Sequence, residues 1–200
     1  MTQPSLRSFR IVLWSLIVVV AVVATAVFIL RPPADPNSSL GGGTYALVDQ
    51  RGEPLDQTML EGHPSLLFFG YTHCPDVCPT TMAEMSNWFQ TLGVEAKDLK
   101  AYFVTVDPER DTPAVLGDYV SWVSDRIVGV TGERAEIDKI IDAWHVFAEK
   151  VPSSDGGYTM NHTASVFLLN SKGQFEGTIA YQEETSAALA KIRRLLSSAA

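Results

Sequence analysis

Cysteine is nearly absent: this chain of 200 residues has two, Cys74 and Cys78. Two cysteines cannot build a disulfide-dense scaffold, and a ring closed by residues so near in sequence would constrain the unfolded chain little. They are also too few for an iron–sulfur cluster or an all-cysteine zinc site. Basic residues are scarce, 15 Lys and Arg against 23 Asp and Glu. Residues 1–31 hold three of the Arg and no acid, so the other 169 carry 12 basic and 23 acidic groups, a net of −11. That balance excludes the basic face that nucleic-acid binding needs; its ordinary meaning is solubility. There is no internal repeat, and no proline after Pro152. Only four histidines, His63, His73, His145 and His162, are available to complete a metal site.

One long stretch lacks charge altogether. Residues 11–30 are rich in Val and Ile, and only Trp14, Ser15 and Thr25 are even mildly polar. At about 1.5 Å per residue a helix of that length crosses roughly the 30 Å hydrocarbon core of a bilayer. The expectation is one transmembrane helix. Arg7 and Arg10 precede it, and Arg31 is the only basic residue after it until Arg51. That bias places residues 1–10 in the cytoplasm. A cleaved signal peptide is the rival reading, with Ala24-Thr25-Ala26 as its site. Against it, the apolar run continues through Leu30 and exceeds the roughly 7 to 15 residues of a signal core. Both readings put the rest of the chain outside the cytoplasm. Residues 31–43 contain Pro32, Pro33 and Pro36, then polar residues and three glycines, and are expected to form a flexible linker.

From residue 44 to 200 the pattern is that of one domain. A short hairpin is expected over 44–55. Ser65-Leu66-Leu67-Phe68-Phe69-Gly70-Tyr71 is a continuous apolar run, as in a strand buried on both faces. A helix from Pro79 places Met82, Met85, Trp88, Phe89 and Leu92 on one stripe, and Gly93 closes it. Residues 99–106 form a second buried strand. Thr112 can cap a helix with Pro113 at its first position, and Val115, Leu116, Tyr119, Val120 and Val123 form its inner face. A strand at 127–130 and a helix bearing Ile137, Ile140, Ile141 and Trp144 follow. Residues from His145 are extended, 153–158 form a polar loop, and His162 lies in a loop before a strand at 165–169. A hairpin turn at 170–173 and a helix from Thr185 complete the chain. Strands alternating with helices imply a mainly parallel sheet covered on both sides, made mixed by the closing hairpin. The order matches an α/β thioredoxin-like fold with an N-terminal β-hairpin. Ligands in such sheets sit beyond the carboxyl ends of the strands, which is where the cysteines fall.

Cys74 and Cys78 are four apart, so on a helix their Cβ atoms share one face roughly 6 Å apart. A helix N-terminus lowers thiol pKa, and two thiolates so placed suit one soft ion such as Cu(I). A third ligand must come from elsewhere. His63 is expected in an exposed turn, His73 in local structure or pKa tuning, and His145 at a helix end. His162 occupies the loop that, in a thioredoxin-like fold, faces the cysteine pair and usually carries a cis-proline. It is either a ligand or a loop histidine without special role.

The segments Phe69-Gly70-Tyr71-Thr72-His73-Cys74-Pro75-Asp76-Val77-Cys78-Pro79, Val106-Asp107-Pro108-Glu109-Arg110-Asp111-Thr112-Pro113 and His162-Thr163 together resemble the SCO/SenC family. The resemblance covers about 44–198, and the apolar segment and linker also fit the family pattern. It implies copper, Cu(I) or Cu(II), held by Cys74, Cys78 and His162. It implies a membrane-anchored chaperone that delivers copper to the binuclear copper centre of cytochrome c oxidase. Expected partners are the copper-accepting oxidase subunit, other copper chaperones and thioredoxin-like reductants. By analogy Asp107 supports the site or contacts a partner; its plain reading is a strand-end cap. Asp76 tunes charge or faces a partner, since a hard carboxylate does not suit Cu(I). Mitochondrial members often have extra length before the membrane segment, and only ten residues stand there here. The expectation is therefore a bacterial inner-membrane protein with a periplasmic domain.

Two other functions fit parts of the pattern. A thiol–disulfide oxidoreductase, reducing the cysteines of that copper site, would need Cys74 and Cys78 but not His162. The usual redox spacing has one residue fewer. A peroxidase would need an Arg beside a low-pKa cysteine, and no pattern places Arg110 there.

Overall fold

The computed structural model describes residues 6–30, 40–153 and 156–198. The chain divides into two units, Met1–Pro36 and Asn37–Ala200. The first contains helix α1, Leu6–Leu30. The side chains described there, from Phe9 to Val23, are exposed. Among the described residues no helix is long and apolar enough to cross a membrane. The apolar run counted at 11–30 extends into positions whose side chains lie outside those described. Most of the expected linker, up to residue 39, also lies outside them.

The second unit is built on a seven-stranded sheet. Strands β1 (Leu47–Asp49), β2 (Pro54–Leu55), β3 (Ser65–Gly70), β4 (Lys100–Thr105), β5 (Ile127–Thr131), β8 (Val166–Leu169) and β9 (Phe175–Ile179) take the order β2-β1-β5-β4-β3-β8-β9. β3, β4 and β5 are parallel; β1 joins β5, and β8 joins β3, antiparallel. Every residue of β3 and β8 is buried, as an apolar run covered on both faces requires. Helices α2 (Val77–Leu92), α3 (Pro113–Ser121), α4 (Arg134–Ala143) and α5 (Thr185–Ser198) connect and cover these strands. Phe68, Phe69, Phe103, Met82, Met85 and Trp88 form the centre of the core.

Several local expectations hold to the residue. Met82, Met85, Trp88, Phe89 and Leu92 are all buried. Thr112 caps α3, its hydroxyl accepting from the Val115 N–H. Gly93 ends α2 at φ +52°, a backbone that glycine adopts without cost. Others are corrected. α2 starts at Val77, before Pro79, because the loop at 72–76 already turns into it. Val115 is 37 % exposed, since no neighbouring element covers its end of α3. Leu40–Gly43 is not free tether: the Gly41 N–H donates to the Ala143 carbonyl at 2.7 Å, and a Cβ there would fall 2.3 Å from the Trp144 ring.

The largest difference lies between α4 and β8. The segment from His145 forms a separate two-stranded antiparallel ribbon, β6 (Ala148–Pro152) with β7 (Tyr158–His162). Its register pairs Ala148 with His162 and Pro152 with Tyr158. His162 is therefore the last residue of a strand, not a member of a loop.

Candidate metal centre

The chain leaves β3 at Gly70 and turns sharply before α2. The Cys74 N–H donates to the Tyr71 carbonyl, and the Cys78 N–H donates to Cys74 Sγ at 3.3 Å. Asp76, in the N-cap position of α2, makes no side-chain cap bond. The Cys74 sulfur thus takes the first-turn N–H groups that a polar cap would otherwise accept. Cys78, in that same turn, is fully buried, whereas Cys74 is half-buried; both are free thiols.

Burial and hydrogen bonding drive the two sulfurs apart in acidity. Hydrogen bonding from Cys78 is the main cause that holds the Cys74 thiol far below its usual range, down to about 3. Burial opposes this, and the N–H groups of Cys78 and Asp76 add to it. Cys78 is pushed far up, first by donating to Cys74 and then by burial. At neutral pH the pair is one thiolate and one thiol.

His162 completes the group. Its Nδ1 lies 3.0 Å from the Thr163 carbonyl, which can only accept, so Nδ1 carries the proton. Nε2 is left with its lone pair and sits 3.3 Å from Cys78 Sγ. The ring is held edge-on between Tyr71 and Phe68. The two sulfurs and the imidazole nitrogen lie within 4.8 Å of one another. An ion bonded to nitrogen and sulfur at about 2.0–2.3 Å requires donors no more than roughly 4.6 Å apart, so small side-chain shifts suffice. Two thiolate donors and one imidazole are a soft set suited to Cu(I). A cleft of about 450 Å³ opens over Cys74 and His162, bounded by Asp76, Phe147 and Asn161.

The other histidines stay outside this group. His73 is exposed, with Nδ1 3.0 Å from Thr72 Oγ1. His145 is exposed at φ +50°. His63 is half-buried rather than exposed, with Nδ1 3.0 Å from Ser65 Oγ.

Asp107 does not approach the sulfurs but ties down the ribbon that carries His162. It is 1 % exposed, accepts from the Tyr158 hydroxyl at 2.8 Å and pairs with Arg110 Nε. Arg110 Nη1 donates to the Tyr158 carbonyl, and its guanidinium lies over the Tyr158 ring at 3.7 Å. Arg110 is thereby engaged at the ribbon. Tyr71 Oη and Thr159 Oγ1, 2.7 Å apart, add a second tie, and two bonds between Phe147 and Thr163 continue the ribbon's own pairing. Asp107 also lies in the turn after β4, its carbonyl accepting from the Arg110 and Asp111 N–H groups. Asp76 is exposed beside the cleft.

Sequence reasoning missed Asp111. Its carboxylate is fully buried and accepts from the Thr72 N–H, Thr72 Oγ1 and Thr105 Oγ1. It pins the entrance of the cysteine loop to the end of β4. Burial raises its pKa despite those donors. A carboxylate followed by Thr112-Pro113 reads from sequence as part of a helix start, which hides this role.

Comparison with known proteins agrees with the geometry. The SCO1/SenC family matches residues 33–197. SCO2-like protein RP587 of Rickettsia prowazekii is 36 % identical over 136 residues, which are 67 % of this chain and 66 % of that protein. The match thus spans about two thirds of that relative's length. The structure of Bradyrhizobium japonicum ScoI with copper bound is 43 % identical, with a TM-score of 0.71, covering 77 % of this chain and 98 % of that one. BsSco, described as a member of the Sco family of cytochrome c oxidase assembly proteins with a disulfide switch, shares the fold at 20 % identity, with a TM-score of 0.63 and coverage of 82 % and 97 %. With the family match spanning nearly all of the globular unit, the chain belongs to the SCO1/SenC family.

Proposed function

We propose that this protein is a copper chaperone that holds its cargo through Cys74, Cys78 and His162 and passes it to the binuclear copper centre of cytochrome c oxidase. The observation that carries this reading is the convergence of two sulfurs and one lone-pair nitrogen within 4.8 Å at the mouth of a cleft. Copper bound to a related ScoI, and the oxidase-assembly role stated for the Sco family, support it. Cys74 is a thiolate before copper arrives, so only Cys78 must lose a proton. His162 presents Nε2 because Thr163 holds the tautomer. A half-buried sulfur beside an open cleft permits an incoming protein ligand to displace the chaperone's own. Residues 11–30 serve as a single-pass anchor in the bacterial inner membrane, with residues 1–10 cytoplasmic and the domain in the periplasm. The uncharged run and the flanking Arg7 and Arg10 support that placement.

A second reading has its own observation, the unequal thiols. A half-exposed thiolate beside a buried thiol is the arrangement that thiol–disulfide exchange uses. Cys74 attacks a partner disulfide and releases one partner thiolate. Cys78, losing its proton to that thiolate, attacks the Cys74 sulfur. The products are a Cys74–Cys78 disulfide and a partner dithiol, two electrons having moved to the partner. Such a step would reduce the cysteines of the oxidase copper site, and the protein would itself need a thioredoxin-like reductant.

Titration of the reduced full chain with Cu(I) and Cu(II) separates the readings. About one copper per chain is expected, lost or greatly weakened in Cys74→Ser, Cys78→Ser and His162→Ala. An unbound native chain overturns the chaperone. Full oxidase assembly in cells carrying His162→Ala leaves only the oxidoreductase.

A further inference from the structure

On the other flank of the cysteine loop, a second groove of about 520 Å³ runs between the start of α2 and α3. It is lined mainly by apolar side chains: Pro79, Val115, Tyr119, Trp122 and Val123, with Thr72 and Asp118 at its polar points. Trp122 is 91 % exposed. An indole left in water at the end of a helix, beside an exposed valine, is the kind of apolar patch that marks an interaction surface.

The groove is held rather than loose. Ser86 Oγ of α2 donates to the Val123 carbonyl at 3.3 Å, and the Tyr119 ring packs on Phe103 of the core. The Tyr119 hydroxyl is shielded yet has no hydrogen-bond partner among the described residues. A partner therefore meets a preformed site.

Its charge selects the occupant. No Lys or Arg lines it; Asp118 does, and Asp125, exposed, stands three residues from Trp122. Arg126, the base nearest in sequence to Trp122, is occupied by the Phe89 ring at 4.3 Å and the Ala96 carbonyl. An anionic lipid surface would be repelled. A second copy would bring the same acidic rim, and like charges facing each other disfavour it. The complementary occupant is an apolar segment flanked by Lys or Arg. Position gives its identity: Thr72 is two residues before Cys74, and Pro79 directly follows Cys78. We infer that this groove docks the protein that exchanges copper or thiol electrons with Cys74 and Cys78, through a basic-flanked apolar segment of that protein. The inference rests on the function proposed above.

The test uses the full chain in detergent micelles, with the copper-free copper-binding domain of the oxidase subunit as probe. Binding is measured by calorimetry at low and high salt, beside Cu(I) affinity. Trp122→Ala is expected to weaken partner binding about tenfold or more, as a central Trp anchor does. Asp118→Lys should weaken it and flatten its salt dependence. Cu(I) affinity should not change in either, since neither residue touches the ligand set. Native Cu(I) uptake with unaltered partner affinity in both variants overturns the docking surface alone. So does a Trp122-dependent self-association in sedimentation, or Trp122-dependent binding to vesicles of phosphatidylcholine and phosphatidylglycerol. A native chain that binds Cu(I) but not the probe also overturns it. A native chain that takes up no Cu(I) removes the function and the docking together.

Discussion

Adding one methyl group at Gly70 should damage both the fold and the copper site. Gly70 ends β3 directly beneath Cys78. A Cβ built there lies 2.8 Å from Cys78 Sγ and 2.8 Å from Phe103 Cε2. Ordinary contact begins near 3.4 Å, so one or both neighbours must retreat by about 0.6 Å in a close-packed interior. Neither has room, since both are fully buried. Overpacking of this kind costs about 1–3 kcal/mol. For a domain of this size that is a melting temperature lower by about 2–12 °C. The sulfur that moves is also the one 3.3 Å from His162 Nε2, so Cu(I) affinity of Gly70→Ala should fall about tenfold, the equivalent of roughly 1.4 kcal/mol. Gly117→Ala in α3 is the control. Its Cβ would meet nothing nearer than 3.6 Å, and replacing a helical glycine should gain up to about 1 kcal/mol. The measurements are calorimetric melting and competitive Cu(I) titration of the full chain. A Gly70→Ala protein that melts within a degree of the native one and binds Cu(I) equally would refute the reasoning about space.

Because Cys74 is already ionised at neutral pH and Cys78 is not, copper uptake should release one proton. The Cys78 pKa is raised, so the proton competes below that pKa. Cu(I) affinity should then rise about tenfold per pH unit between about pH 7.5 and 8.5; a slope of zero or two in buffered titrations contradicts the pairing. Tyr158→Phe removes the bond to Asp107 at the far end of β7 and should speed Cu(I) release in stopped-flow exchange about fivefold, while changing the melting temperature little. An unchanged release rate would show the ribbon to be held without that bond. Asp111→Ala strands the buried Thr105 hydroxyl and two part-buried donors of Thr72, and should cost about 2 kcal/mol or more in thermal or urea unfolding; a loss under 1 kcal/mol would mean the cysteine loop is positioned by something else.

The parts of the fold legible in sequence are those where burial is one-dimensional. β3 is covered on both faces and β4 is too beyond its exposed Lys100, and both show apolar runs; α2 shows its core stripe because a helix repeats its inward face every 3.6 residues. The ribbon was legible only in part: extended chain from His145 and a polar loop after it are expected and present, but the partner strand β7 and its pairing with β6 are not signalled. β6 is largely exposed, and its Glu149 and Lys150 carry neither alternation nor an apolar run. His162 stands out by its place before a central strand, facing the cysteine pair, and then by motif order. Val115 has the right helical phase, but phase does not reveal whether another element arrives to cover it. Asp111 meets Thr72 across 39 residues and Arg110 meets Tyr158 across 48, separations at which no local pattern can report contact.

The ligand donors are divided between two bodies of unequal firmness. The cysteines stand on an element rooted in the seven-stranded sheet, while His162 rides on a two-stranded ribbon outside it. A two-stranded hairpin is marginally stable by itself, so this one, held to the body by a few side-chain ties, should open at a free energy below that of global unfolding. Cargo retention would then be governed by a local opening equilibrium. Amide hydrogen exchange would be fast in β6 and β7 and slow in β3, and whatever clamps the ribbon would lengthen the residence of copper without touching a ligand.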